Sequence, residues 1–125
     1  MSIPNKIKDF NDTVESLLQQ IAPFVGTSYH HYFLKLIRIN AVLPIQHFIH
    51  YAMPMKDKIL NRDETYITNT DNHSDKVKNH DSALTEILRL TNIYGGLSQE
   101  SKDTVWDMLM VLVITTMEYM QLKGM

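Results

Sequence analysis

Two histidines are the residues best placed to hold a metal ion. His47 and His50 lie three residues apart, so that on a helix both imidazoles would lie on one face, as paired metal ligands do. A zinc site needs a third protein ligand, but the chain contains no cysteine and no His-Glu-x-x-His pattern to supply it. An ordinary polar helix face is therefore the interpretation we favour, and we predict no metal and no cofactor.

The polar stretch 63–79, which predicts a long loop, carries the carboxylates that could complete such a site. Four of its side chains alternate as in a calcium-binding loop: Asn69, Asp71, His73 and Asp75. In that register, however, Ser74 stands where the loop requires glycine, and His80 stands where it requires a bidentate glutamate. The adjacent acids Asp63 and Glu64 are typical of a solvated helix end. A small metal-binding protein or enzyme that uses the two histidines and these carboxylates is the first alternative function.

The charge pattern argues against a nucleic-acid partner. The 12 basic and 14 acidic residues give a net charge of −2, and the chain contains no basic block. A nucleic-acid accessory factor, the second alternative, would need its scattered cations to fold onto one face: Lys56, Lys58, Arg62, Lys76 and Lys78. Aspartates lie close to each lysine pair, including Lys6 and Lys8, which is typical of a solvated mixed surface.

Length and composition indicate a single domain, residues 1–125, that folds without disulfides. The absence of cysteine fits a reducing compartment, and the polar N-terminal residues lack the apolar core of a signal peptide. The most apolar stretch, 105–120, is interrupted by Asp107 and Glu118 and is shorter than the roughly 20 apolar residues that cross a bilayer. We therefore expect a cytoplasmic protein without a membrane span.

Apolar residues spaced three and four apart predict an all-α fold, an irregular bundle of four to five helices. Pro23 and Gly26 should end the first helix. The side chain of Thr27 or Ser28 should cap the second helix. Pro44 should then make the chain kink or restart. The predicted helical segments are approximately 5–22, 28–43, 45–62 with an interruption at Pro54, 80–94 and 99–122.

The last predicted helix, capped by Ser98 and reaching about Leu122, is the most apolar. At 100° per residue its polar side chains form one stripe: Glu100, Asp103, Asp107, Glu118 and Gln121. Val111 and Ile114 fall inside that stripe, so the segment 108–114 is apolar all round. Either this helix is the centre of the bundle, or a second subunit or another protein covers the two aliphatic residues.

The distribution of methionine along the chain favours the interpretation that a partner covers Val111 and Ile114. Five of the eight methionines lie in the last 18 residues, and flexible thioethers suit adaptable binding surfaces. The predicted partner-binding residues are Met110, Val111, Ile114, Met117 and Met120. Because the chain has no phosphate loop, nucleophile elbow or cysteine nucleophile, we predict no catalytic residue. We expect a non-enzymatic role in protein–protein interaction or structure, with a homo-oligomer or another protein as the partner.

The C-terminal half combines two further features. Residues 58–66 read Lys-Ile-Leu-Asn-Arg-Asp-Glu-Thr-Tyr, and in 87–109 a short polar turn precedes the helix that carries Trp106. This pattern resembles small helical proteins of large nucleocytoplasmic DNA viruses. The resemblance implies a place in the infected-cell cytoplasm or the virion and an accessory or structural role. It implies no particular functional residue.

Overall fold

The chain folds as a bundle of α-helices in the computed structural model, which describes residues 2–64 and 94–125. The helices are α1 (Ile3–Val25), α2 (Ser28–Ile39), α3 (Leu43–Tyr51), α4 (Lys56–Leu60) and α5 (Gln99–Leu122), with a 3₁₀ turn at Met53–Met55. The described residues contain no strand. The predicted all-α bundle with a long, apolar C-terminal helix is therefore confirmed. Most of the predicted loop at 63–79 and of the predicted helix at 80–94 lies outside the described residues.

The first helix begins at a side-chain cap and ends at a glycine. Ser2 Oγ accepts a hydrogen bond from the Asn5 N–H at 3.2 Å, which satisfies one of the free amides of the first turn. Pro23 does not end the helix as predicted, because it lies inside the last turn and removes only one backbone hydrogen bond there. Gly26, the other predicted stop, does end it. Its φ of 84° favours glycine, and its N–H bonds the Ala22 carbonyl at 2.7 Å.

Prolines set the breaks between α2, α3 and α4. Pro44 lies in the first turn of α3, where its missing N–H costs no helical hydrogen bond, so the predicted restart is confirmed. Leu43, predicted to extend the second helix, instead begins α3. Pro54 lies in the 3₁₀ turn, as the predicted interruption requires. The predicted side-chain cap of α2 by Thr27 or Ser28 is wrong. Thr27, at the cap position, has a helical backbone (φ −96°, ψ −1°) and makes no capping hydrogen bond, and Ser28 is already the first residue of the helix.

The core lies where α5 packs against α1, α3 and α4. Each fully buried apolar side chain there contributes about 1.5–3 kcal/mol of stability. Trp106 on α5 is among the largest of them at 1% exposed, which confirms that it anchors the core. The largest fully buried side chains are Trp106, Phe10, Phe33, Phe48, Leu17, Leu18, Ile21, Ile45, Ile59 and Leu109.

A chain of hydrogen bonds joins the two described parts of the protein beside this core. Trp106 Nε1 donates to the Tyr94 hydroxyl at 3.0 Å, and the Tyr94 hydroxyl donates to Glu64 Oε1 at 2.9 Å. Burial is the main reason that the pKa of Tyr94 lies above its ordinary value. Nearby, Arg62 Nη2 donates to Asp103 Oδ1 at 2.6 Å, and this hydrogen bond holds the pKa of Asp103 below its ordinary value.

Candidate functional site

The outward side of α5 carries apolar side chains that the described part of the chain leaves exposed. Val111, Ile114 and Met117 are 46%, 52% and 45% exposed, whereas the inward Leu112 and Val113 are fully buried. Their spacing of three residues brings the three exposed side chains next to one another along the helix. Within residues 2–64 and 94–125, neighbouring helices therefore do not bury α5 on this face, contrary to the alternative that places it at the centre of the bundle.

The other two predicted contact residues lie at the margin of this face or away from it. Met110 is half-buried and lies one turn before Ile114 on the same side of α5. Met120 packs against the core instead, because it lies about 120° around the helix from Ile114. We refer to Met110, Val111, Ile114 and Met117 as the α5 surface.

A groove runs between the α5 surface and α1. It is open to solvent and has a volume of about 450 Å³. Its lining consists of Lys6, Asp9, Asp12 and Thr13 from α1 and of Val111, Ile114, Thr115 and Glu118 from α5. Aliphatic side chains of α5 thus lie beside carboxylates from both helices.

One of the lining residues is a buried lysine. The Lys6 side chain is only 5% exposed, and its Nζ lies 3.1 Å from Oε1 of Glu118, whose side chain is 46% exposed. A buried ammonium is costly unless it is paired, so Glu118 stabilises Lys6 in this position. Lys6 precedes Phe10 by four residues and therefore shares the apolar face of α1, which α5 covers. The predicted solvated surface holds for Lys8 but is wrong for Lys6.

The groove is acidic. Its lining carries three carboxylates and one ammonium, which leaves a net charge of −2. The charges of two exposed residues just outside the lining cancel, so they do not change this net charge. They are Asp107, one turn before Val111, and Lys8, whose hydrogen bond to Asp12 raises the pKa of that lysine. An apolar strip bordered by carboxylates has the chemistry to accept an apolar group that is flanked by cations.

The histidines of the metal-site alternative lie on α3. His47 is half-buried and His50 is exposed, and both rings lie edge-on to Tyr51 at centroid distances of 5.9 and 4.6 Å. Among the residues that the structure describes, no group of three or more histidine, cysteine, aspartate or glutamate side chains could hold a metal ion. Of the predicted loop carboxylates, Glu64 accepts the tyrosine hydrogen bond described above, and those at 69–75 lie outside the described residues.

Two of the cations that the nucleic-acid alternative requires are paired with carboxylates. Lys56 Nζ lies 3.3 Å from Asp57 Oδ1, and Arg62 is bonded to Asp103. The last lysine pair of that set lies outside the described residues. Because a phosphate contact needs an available positive charge, this pairing weakens the alternative.

By length and composition alone, α5 could cross a membrane, and among the described residues it is the one helix that meets this test. The whole helix has 24 residues and is therefore longer than the interrupted stretch 105–120 that the sequence singles out. The core helix of a soluble protein meets the same test, and eight residues of α5 are buried inside the protein. The absence of a membrane span stays a prediction.

No family model, curated protein or solved structure matches this chain. The resemblance to small helical viral proteins therefore stays a prediction. The α5 surface and the groove beside it are the features from which function is inferred.

Proposed function

We propose that this protein is a non-enzymatic binding protein, with a structural or accessory role, that contacts a protein partner through the α5 surface. The observation that supports this most is the exposure of Val111, Ile114 and Met117 side by side on one helix. Single exposed apolar residues are common on proteins, but adjoining ones are typical of interaction sites. Met110 extends the contact, and Met120 supports it from the core side.

Covering this face would release enough free energy to help hold a partner. Complete burial of an aliphatic or methionine side chain contributes about 1.5–3 kcal/mol, and about half of each of the three side chains is still exposed. Together they offer about 3 kcal/mol, which corresponds to roughly a 150-fold change in Kd.

The proposal also includes the setting in which the protein acts. The absence of cysteine suits a reducing compartment, so we place the interaction in the cytoplasm. If the resemblance to viral proteins holds, that setting is the cytoplasm of the infected cell or the virion.

Two matched substitutions test the proposal. Ile114→Lys puts a charge into the α5 surface, whereas Ile39→Lys makes the same change on α2, at a residue that is 86% exposed. Because both positions face solvent, both variants should keep the circular dichroism of the wild type. The emission of Trp106, the single tryptophan, should also stay that of a buried indole.

Association is then measured by light scattering over a range of protein concentrations and by affinity capture from cells. We expect the wild type and Ile39→Lys to bind the same partner, a second copy or another protein, and Ile114→Lys to lose it. The proposal fails if the wild type is monomeric at every concentration and captures nothing that Ile114→Lys does not also capture.

A further inference from the structure

The groove between α1 and α5 has a chemistry that distinguishes between partners. We infer that it binds a basic amphipathic helix of another protein rather than a second copy of this chain. This inference rests on the proposed function and adds to it the chemical class of the partner. Its support comes from the dimensions of the groove, its apolar strip and its charge.

The dimensions of the groove suit a helix. Its α5 side extends from Val111 to Glu118, seven residue steps and therefore about 10 Å, or two helical turns. Amphipathic helices that bind in apolar grooves contact them through residues spaced three, four and seven apart, which fall on successive turns of one face. Val111 and Ile114 offer such a helix an aliphatic strip, and the open side of the groove leaves room for its polar face.

The charges beside this strip favour a basic helix. The one cation in the lining, Lys6, is buried and paired with Glu118, so it is not presented to a ligand. The side chains of Asp9 and Asp107 are exposed near the aliphatic residues. Asp12 beside them is paired with the exposed Lys8, and with both ion pairs counted the region keeps a net charge of −2. Acidic edges around an apolar strip complement a helix whose apolar residues are flanked by lysine or arginine.

The same charges disfavour a second copy in this position. If two copies pair α5 against α5 in opposite directions about Val111 and Ile114, Asp107 of one copy faces the half-exposed Glu118 of the other, whose charge Lys6 partly offsets. If the helices pair in the same direction, each acidic residue faces its own counterpart. Because like charges facing each other across an interface oppose binding, a second copy gains no charge complementarity in either direction, whereas a basic helix does.

A library of displayed helical peptides tests this inference with the full-length protein. Each peptide has about 18 residues, or roughly five turns, with leucine fixed at positions three, four and seven apart. Lysine, glutamate and glutamine are equally represented at the flanking positions. We expect selection on the wild type to enrich lysine over glutamate at those positions.

The affinities of the selected peptides are then measured by fluorescence anisotropy. Ile114→Lys should weaken binding at least about tenfold, because it places a cation against a cationic ligand and removes an anchor. Ile39→Lys, the matched control, should bind within about twofold of the wild type. Neutralising Asp9→Asn and Asp12→Asn together should weaken binding about three- to tenfold and reduce its dependence on salt. Should Ile114→Lys lose its circular dichroism, Ile114→Ala takes its place, with an expected loss of about threefold.

The outcomes separate this inference from the proposed function. Selected peptides without a preference for lysine, whose binding Ile114→Lys still abolishes, would overturn the basic helix and leave the proposed function intact. If the wild type forms a dimer that the Ile114→Lys substitution dissociates, the basic helix is likewise overturned and the proposed function is left intact. Peptides that bind Ile114→Lys as tightly as the wild type, or a library without binders, would also overturn the inference. The light-scattering and capture experiment then decides the proposed function independently.

Discussion

Removing Glu118 from its ion pair with Lys6 should destabilise the protein, whereas removing Lys6 should not. The Lys6 side chain is buried between α1 and α5, whereas about half of the Glu118 side chain reaches solvent. Glu118→Gln leaves a buried ammonium without its carboxylate. Lys6→Met removes the buried charge, retains an unbranched side chain of similar length and leaves a carboxylate that water can hydrate.

The magnitude follows from this difference in burial. Breaking a fully buried pair by removing one partner costs about 3–5 kcal/mol. Because Glu118 is half exposed and glutamine can still accept a hydrogen bond, we expect Glu118→Gln to cost about 1–2 kcal/mol. For a domain of this size that lowers the Tm by roughly 3–8 °C. Lys6→Met should lie between no change and about 1 kcal/mol of stabilisation, since apolar replacements of buried ion pairs are often neutral or stabilising.

Urea unfolding followed by the emission of Trp106 and by circular dichroism measures both variants. Lys8→Met is the matched control, because Lys8 is exposed and pairs with Asp12 on the surface, and it should leave the unfolding midpoint unchanged. If Lys6→Met is destabilised as much as Glu118→Gln, or more, then Lys6 is not a buried cation that depends on Glu118. That result would refute the ion pair as the reason that Lys6 can be buried beside the groove.

Two further predictions concern the hydrogen-bonded junction beside the core. Tyr94→Phe should lower the free energy of unfolding by about 1–3 kcal/mol, because the buried Trp106 N–H loses its acceptor, and an unchanged urea midpoint would contradict this. Since the folded-state pKa of Tyr94 is raised from 10.0, its contribution should be complete below that pH and be lost as the pH rises above it, a step absent from Tyr94→Phe. The pKa of Asp103 is lowered from 3.8 by Arg62, so its contribution should be present above that pH and be lost as the pH falls below it. Asp103→Asn should flatten this acid limb of a stability-against-pH curve, and an identical limb in both proteins would refute the role of the pair.

The ends of α5 and the exposed apolar residues on it could be predicted, because both depend on patterns of residues that are close together in the sequence. Ser98 precedes an apolar repeat of helical period, and its Oγ accepts from the Ser101 N–H at 3.1 Å, as a cap should. Val111 and Ile114 interrupt a polar stripe of the same helix, and a stripe is defined by spacing along the sequence alone. The exposure of these two residues therefore agrees with the pattern that singled them out.

Features that depend on which helices become neighbours could not be predicted in this way. Lys6 occupies an apolar register of α1, and the packing of α5 against that helix brings Glu118 within reach of it. The placement of Met120 toward the core follows from the direction in which α5 faces α1, which a helical repeat does not specify. Pro23 is tolerated because the long helix before it is fixed by packing, so a local helix breaker does not decide the boundary.

Thiol labelling tests most directly whether the α5 surface is an open contact site. The chain has no cysteine, so a single introduced thiol reports on one position. Ile114→Cys probes the α5 surface, Ile39→Cys is the exposed control, and Thr116→Cys is the buried control at a residue that is 0% exposed.

In the free protein we predict that the thiol at 114 reacts within about tenfold of the rate at 39 and far faster than the thiol at 116. The bound partner should slow the reaction at 114 at least about tenfold and leave the reaction at 39 unchanged. A thiol at 114 that is as slow as the one at 116 in the free protein, or that the partner does not protect, would contradict the proposal that α5 is the contact surface.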